Sequence, residues 1–210
     1  MIKLENTQVM NLEGALRGMR NPMNSWEKSD SGIQMTENGY EFVIGPVDLQ
    51  LARKLVKAGS DHRKFLRQIF ISVDITGPLY WWKEFDTYKV GTVANSTSTM
   101  HRIHAKPITV ADFSHERLSR LGLTYLEMLV EVMEMRRRQY VETHDREAWD
   151  DIIQLLPTSY MQMRTVTLSF ENLLSMYNAR KDHKLPEWQQ DFCRWAETLS
   201  HFREICLEIE

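Results

Sequence analysis

Cysteine is scarce in this chain: Cys193 and Cys206 are the only two in 210 residues. Thirteen positions apart on one helix, they would sit roughly 20 Å from each other at about 1.5 Å per residue, too far to bridge within a straight helix. No Cys/His spacing suits a metal, so both read as buried, reduced thiols. Long apolar runs are missing too. Nothing approaches the roughly 18 apolar residues of a membrane span, and Met1-Ile2-Lys3-Leu4-Glu5-Asn6 lacks the apolar core of a signal peptide. The expectation is a cytoplasmic protein with no membrane partner. Charge of one sign is also lacking. The net charge of -3 provides no global basic field of the kind that drives nucleic-acid binding, so an anionic ligand must be met by a local cluster. There is no internal repeat, low-complexity tract, P-loop or dinucleotide fingerprint. No serine or cysteine nucleophile stands at a diagnostic spacing from a base, and no catalytic side chain is assigned.

What is present suffices for a packed core. Apolar residues make up 42% and charged residues 26%, the balance of an ordinary globular domain. We read 1–210 as a single domain, with a loop-rich N-terminal segment over 1–32 and a core over 33–206. Within 11–32, Asn, Gly, Arg and Ser suggest loop or short helix. Ile33–Thr36 and Tyr40–Ile44 flank Asn38-Gly39, a dipeptide that supplies the positive φ angles of a hairpin turn. Pro46 suits a first helical turn, Leu49, Ala52, Leu55 and Val56 follow at helical spacing, and Gly59 is placed to end the helix. Residues 68–76 alternate, with Ile69, Ile71, Val73 and Ile75 on one face. Gly77-Pro78 closes that strand, and a short helix carries Trp81, Trp82 and Phe85. Leu126, Leu129, Val130 and Met133 mark a long helix expected to end near Arg136-Arg137-Arg138, where cations suit the helix dipole. Trp149, Ile152, Ile153 and Leu156 mark another, stopped by Pro157. Residues 160–168 alternate again, Phe170 to Tyr177 stripe a helix reaching Arg180, and a last helix starts at Pro186. The sum is α+β: a small antiparallel sheet with a helical layer.

Three places offer chemistry. The polar stretch Gly91-Thr92-Val93-Ala94-Asn95-Ser96-Thr97-Ser98-Thr99 combines small residues with hydroxyls and an amide, and His101, Arg102, His104 and Lys106 follow directly. A solvated loop with scattered charge fits the same residues. Arg180, beside Lys181, Asp182, His183 and Lys184 and before the Pro186 restart, can aim a planar donor fork into a cleft, or can simply cap its helix. Asp74 lies on the polar strand face ahead of Tyr80-Trp81-Trp82, where aromatics either stack on a flat ring or fill the core. His144 and Asp145 have no evident partner.

The order of elements now resembles a known family. Leu156-Pro157, a strand-like run, and then Asn172-Leu173-Leu174-Ser175-Met176-Tyr177-Asn178-Ala179-Arg180-Lys181-Asp182 are similar to the C-terminal signature of flavin-dependent thymidylate synthases, with Pro157 and Arg180 separated by 23 positions without a gap. The closing turn here reads His183-Lys184-Leu185-Pro186-Glu187-Trp188. Leu55-Val56-Lys57-Ala58-Gly59 before the central strand is similar as well, and the resemblance spans roughly 40–205. In the family's Arg-His-Arg-x-x-Ser-x-Asn-x-x-Ser-x-Arg signature, Asn95 and Ser98 match. Tyr88, Lys89 and Val90 stand in place of Arg-His-Arg, Val93 in place of the first serine and Met100 in place of the last arginine. Ile153 replaces a further arginine. The resemblance implies a homotetramer with FAD between subunits, deoxyuridine monophosphate (dUMP) over the flavin, and a methylene group from a folate. It implies nucleotide-binding roles for Arg180, Asn95 and Ser98. Lys89, Arg102 and Lys106 are candidate substitutes for the missing cations, Lys89 for the nucleotide and Arg102 and Lys106, with His101, for the cofactor. Each charge-assisted phosphate bond is worth about 1.5–3 kcal/mol, so the replaced arginines leave two readings open. One is an FAD-dependent methyltransferase of dUMP. The other is a non-catalytic protein that sequesters or senses a nucleotide on the same scaffold.

Overall fold

The structure, a computed structural model, describes residues 1–37 and 39–209. In chain order the elements are β1 (Lys3–Met10), α1 (Leu12–Met19), β2 (Gly32–Thr36), β3 (Gly39–Val43), α2 (Pro46–Lys57), β4 (Phe70–Pro78), α3 (Leu79–Phe85), β5 (Thr92–Ser96), α4 (Thr99–Arg102), α5 (Arg120–Thr143), α6 (Arg146–Gln154), β6 (Met161–Ser169), α7 (Phe170–Arg180), α8 (Arg194–Thr198) and α9 (Ser200–Phe202). Short 3-10 turns intervene, and Glu187–Cys193 and Arg203–Leu207 are π-helical. One sheet runs in the order β1-β4-β6-β5 and a separate one pairs β2 with β3. The fold is α+β, a small antiparallel sheet with a helical layer.

Alternation on β4 has the expected outcome: Ile69, Ile71, Val73 and Ile75 are all fully buried. The 33–44 hairpin also forms, in the register Gly32↔Val43 to Thr36↔Gly39. Asn38 of the expected turn lies outside the described residues. Gly39 has φ +112°, a conformation that favours glycine.

The chain groups into two compact units. The first comprises 1–3, 74–87 and 94–165. Its core gathers Ile103, Ile108, Phe113, Leu126, Val130, Met133 and Ile152, so one stripe of α5 packs inward. Trp81, Trp82 and Phe85 of α3 form a buried aromatic group with ring centroids 4.9–5.2 Å apart, and Trp82 Nε1 donates to the Gln162 carbonyl at 2.9 Å. The second unit comprises 4–73, 88–93 and 166–210. Within it α2 packs on Arg203–Leu207, and α7 packs on the Lys64–Arg67 turn. The Arg63 guanidinium meets the Glu171 carboxylate through both Nε and Nη2 at 2.9 Å. Asp30 accepts from the backbone N–H groups of Val47 and Asp48 at 2.9 and 3.0 Å, satisfying the first turn of α2. Gly45 permits this approach, because a Cβ there would fall 2.2 Å from the Asp30 carboxyl carbon.

Four sequence expectations need correction. The 1–32 segment is not mainly loop: it contains β1 and α1. Lys3–Met10 shows no clean apolar alternation, and most of its residues are exposed. In α1, Leu12, Ala15, Leu16 and Met19 form a buried i, i+3, i+4, i+7 stripe whose signal Gly14 and Gly18 dilute. The polar 91–99 stretch is not a free loop, since Thr92–Ser96 is the edge strand β5. α5 runs on past Arg138 to Thr143, and His144 ends it with φ +56°. Arg137 and Arg136 are ion-paired in mid-helix, with Glu134 and Asp151, both at 2.6 Å. Finally, the helix after Pro186 is broken into π, α, α and π segments, with Leu199 leaving helical geometry at ψ 99°.

Candidate functional site

Arg180 closes α7, and what surrounds it explains its orientation. Ser169 begins that helix with a reciprocal cap to Asn172. The Asn172 amide also donates to the Val90 carbonyl at 2.7 Å. Gly91, at φ +81°, lies so close that a Cβ would fall 2.7 Å from Asn172 Oδ1. The start of α7 therefore anchors the 88–92 turn. At the far end of the helix, Arg180 Nε donates to the Tyr88 hydroxyl at 2.9 Å. The guanidinium carbon sits 4.8 Å from the centroid of Trp188 and 5.5 Å from that of Tyr88. These two rings are themselves edge-to-face at 6.2 Å. Trp188 is fully buried on the π-helical stretch and packs edge-on against Phe192. Single-turn π segments are frequent at functional sites. The half-buried arginine is thus clamped between a phenol and an indole before any ligand arrives.

The other candidates fall into three places. Lys89 is exposed in the same unit as Arg180. Asn95 and Ser98 are exposed in the first unit, Asn95 on β5 and Ser98 as the cap of α4, where its hydroxyl accepts from His101 N at 3.2 Å. Ser98, Arg102 and Lys106 line one cleft of the first unit with Thr76, Asp112 and Tyr160, about 530 Å³ in volume. His101 lines a different cleft, with Met100, His104, Tyr140, Arg146 and Trp149. The expected cofactor set is therefore divided: the short α4 turns His101 one way and Arg102 the other.

Charge in the Arg102 cleft is largely matched. Lys106 is ion-paired with Asp112, whose carboxylate also caps the 109–112 turn. The hydrogen bond that Lys106 donates to the Asp112 carboxylate raises the Lys106 pKa. Burial alone would raise the Asp112 carboxyl, but Lys106 and Thr109 together hold it below its ordinary value. Burial pushes the Tyr160 hydroxyl up, so that it stays a neutral donor. Arg102 carries no ion pair among the described residues.

Asp74 accepts from Thr165 Oγ1 at 2.6 Å across the sheet, while Trp81 and Trp82 are core. Asp145 caps α6. Cys193 and Cys206 are buried and unbridged. Burial, then the charges of Glu197 and Asp182, push Cys193 up to about 12, and burial raises Cys206 further still. Both remain thiols rather than nucleophilic thiolates. Sequence reasoning did not find Tyr88 and Trp188 as partners of Arg180. The available signal was the placement of aromatic residues in the signature segment and in the closing turn. It also did not find a wider cleft of about 930 Å³ along α2, lined by Lys28, Arg53, Lys54 and Lys57. Arg53 there is already engaged by the Glu204 carbonyl at 2.7 Å and the Glu208 carboxylate at 3.1 Å.

Comparison with solved structures places this architecture. Thymidylate synthase X from Helicobacter pylori, solved with FAD and dUMP, superposes with a TM-score of 0.71 at 16% identity, over 99% of this chain and 98% of that one. A second structure of the flavin-dependent enzyme from the same organism, also with FAD and dUMP, gives 0.68 at 17% identity over 99% and 97%. The fold is that of thymidylate synthase X. No family model and no curated protein matches the sequence. On the thymidylate synthase X fold, the chain differs from the family signature where FAD contacts are implied. Val90 and Val93 are both largely exposed, and neither side chain can bond a phosphate. Tyr88 is committed to Arg180. Lys106 is ion-paired with Asp112. No helix among the described residues is long and apolar enough to cross a membrane.

Proposed function

We propose that this protein binds a pyrimidine nucleotide on a thymidylate synthase X scaffold, in a cleft between subunits of a homo-oligomer, and that Arg180 holds its phosphate. The observation that carries this reading is the Arg180 clamp. A guanidinium offers five N–H donors in a fixed fork. Here the Nε–H is taken by the Tyr88 hydroxyl and the Trp188 ring lies 4.8 Å away. An arginine ordered in this way meets an anion without first losing rotamer freedom. Lys89, Asn95 and Ser98 complete the proposed nucleotide contacts, Lys89 as a point charge and the other two as hydrogen-bonding groups.

The geometry supports binding without methyl transfer. The cations proposed for a cofactor, Arg102, Lys106 and His101, occupy two clefts, and one of them is internally paired. The second reading, FAD-dependent methylation of dUMP, is favoured by one specific observation: the end-to-end match with structures that contain both ligands.

The test is an absorbance spectrum of the purified protein together with thermal melts in millimolar dUMP. The binding reading predicts a colourless protein stabilised by dUMP. The methylating reading predicts flavin absorbance in the visible blue. No shift with dUMP sinks both. Arg180→Ala should abolish the shift. Because that change also strips packing from Trp188, Tyr88→Phe serves as a companion: it keeps the ring, removes the hydroxyl, and should weaken the shift without abolishing it.

A further inference from the structure

The gap between α1 and the β2–β3 hairpin, both in the second unit, carries an inference that does not rest on the nucleotide reading. In the hairpin register Ile33 stands opposite Phe42 and Met35 opposite Tyr40, so these four side chains share one face. Ile33, Met35 and Tyr40 are 69–80% accessible. A two-stranded hairpin is marginal by itself and needs a packed apolar face, yet this one meets α1 incompletely. Leu16 of α1, Trp26, Ile33 and Phe42 surround a cavity of about 250 Å³. Small-molecule sites run upwards from about 300 Å³, so this one lies at the lower end of that scale and suits a molecule the size of one amino acid. The polar groups on its wall decide the chemistry. Arg20 is held by Asp48 at 2.6 Å, and the Ser29 and Ser31 hydroxyls both donate to the same carboxylate at 2.6 Å. Trp26 Nε1 donates to Asn21 Oδ1 at 2.9 Å, which leaves its ring as an apolar surface.

Two charges on the same wall are not engaged. Glu13 and Arg17 are exposed one turn apart on α1 and both line the cavity. An acid four positions ahead of a cation favours pairing. Here neither carries an ion pair or a side-chain hydrogen bond among the described residues. We propose that this cavity binds a free amino acid with an apolar side chain, such as phenylalanine or leucine. Its carboxylate meets the Arg17 guanidinium, its ammonium group meets the Glu13 carboxylate, and its side chain fills the space between Leu16, Trp26, Ile33 and Phe42. One unmatched charge of each sign, a helical turn apart, complements a zwitterion; a simple carboxylate or a simple amine would leave one of the two unmet. The engaged hydroxyls and guanidinium favour an apolar side chain over a hydroxylated one. The occupant also supplies the contacts that the hairpin's apolar face lacks, so binding orders the hairpin.

The test is titration calorimetry of the full chain with L-phenylalanine, 3-phenylpropanoate (no ammonium group), phenethylamine (no carboxylate) and glycine (no side chain), each to millimolar concentration. L-Phenylalanine should bind, each single-charge analogue should bind about tenfold more weakly, the worth of one charge-assisted hydrogen bond, and glycine should give no heat. Arg17→Gln should weaken L-phenylalanine about tenfold and leave phenethylamine unchanged, while Glu13→Gln should weaken L-phenylalanine and leave 3-phenylpropanoate unchanged. Both side chains are exposed, so the far-UV spectrum of each variant should match wild type. Amide exchange across 32–43 should slow when L-phenylalanine is added. Absence of binding by both phenylalanine and leucine would overturn the site. Glycine binding as tightly as phenylalanine, or unchanged phenylalanine affinity in R17Q and E13Q, would overturn the assignment of its ligand.

Discussion

Replacing Asp48 by asparagine tests a deeply buried ion pair of the second unit. Arg20 and Asp48 are 3% and 0% accessible, with Nε and Oδ1 2.6 Å apart. The other carboxylate oxygen accepts from the Ser29 and Ser31 hydroxyls, each at 2.6 Å. Arg20 further donates to the Ser25 and Lys28 carbonyls at 3.2 and 3.1 Å. The pair therefore ties the end of α1 to the 24–31 turns and to the first turn of α2. Asp48→Asn keeps the shape and one acceptor but leaves a buried guanidinium uncompensated. Breaking a buried pair in this way costs about 3–5 kcal/mol. The retained acceptor argues for the lower end, or a melting point lower by roughly 10 °C for a chain of this size. Adding Arg20→Met removes the orphaned charge, so R20M/D48N should lose less than the sum of the single changes by about 2 kcal/mol. Burial would raise the Asp48 carboxyl, but Ser29, Ser31 and Arg20 together lower it below 3.8. A folded-state pKa below the unfolded one gives stability that is complete above about pH 4 and fades as pH falls through the folded value. The gap between wild type and D48N in urea unfolding, followed by tryptophan fluorescence, should accordingly be constant from pH 6 to 8 and close on acidification. A gap under about 1 kcal/mol at pH 7, or one that acid leaves unchanged, refutes this reasoning.

Other predictions follow from the same geometry. Gly91→Ala puts a Cβ 2.7 Å from Asn172 Oδ1 at φ +81°; it should cost about 1–3 kcal/mol in strain and weaken dUMP stabilisation by loosening the turn that carries Tyr88. The Arg137 hydrogen bond, aided by Arg138 and the Ile108 amide, holds Glu134 down to about 2 against an ordinary 4.5. Its contribution is thus complete above about pH 4.5 and lost towards pH 2, and Glu134→Gln should flatten that part of the acid-unfolding curve. With both thiols buried and their pKa values raised, native protein should react with a thiol reagent at pH 8 far more slowly than urea-unfolded protein. Rapid modification of two thiols without denaturant would contradict their placement.

Elements whose apolar residues repeat cleanly were legible in the sequence. The β4 alternation from Ile69 to Ile75, the α7 stripe from Phe170 to Leu174 and the Pro46 start of α2 each combine a period with a boundary residue. β1 and β5 were not legible, because strands with mainly exposed side chains carry no apolar alternation; their pairing comes from the sheet beside them. The length of α5 was misjudged because Arg136 and Arg137 resemble a C-terminal cation cluster, yet they are bound to acids on neighbouring turns and on α6. At the candidate site, Arg180 could be read from its position in the C-terminal signature, but its clamp could not. Tyr88 and Trp188 lie 92 and 8 positions away in the chain and meet the guanidinium only when α7 and the π-helical turn are in place. The division of His101 from Arg102 depends on the local path of α4, which composition does not encode.

The central claim is that the Arg180 guanidinium grips a nucleotide phosphate, and titration calorimetry with dUMP and with deoxyuridine, which lacks the phosphate, tests it most directly. Wild type should prefer dUMP by about 10- to 150-fold, the worth of one charge-assisted contact at about 1.5–3 kcal/mol, and R180A should lose most of that preference while binding deoxyuridine as wild type does. An undiminished preference for dUMP in R180A would contradict the account.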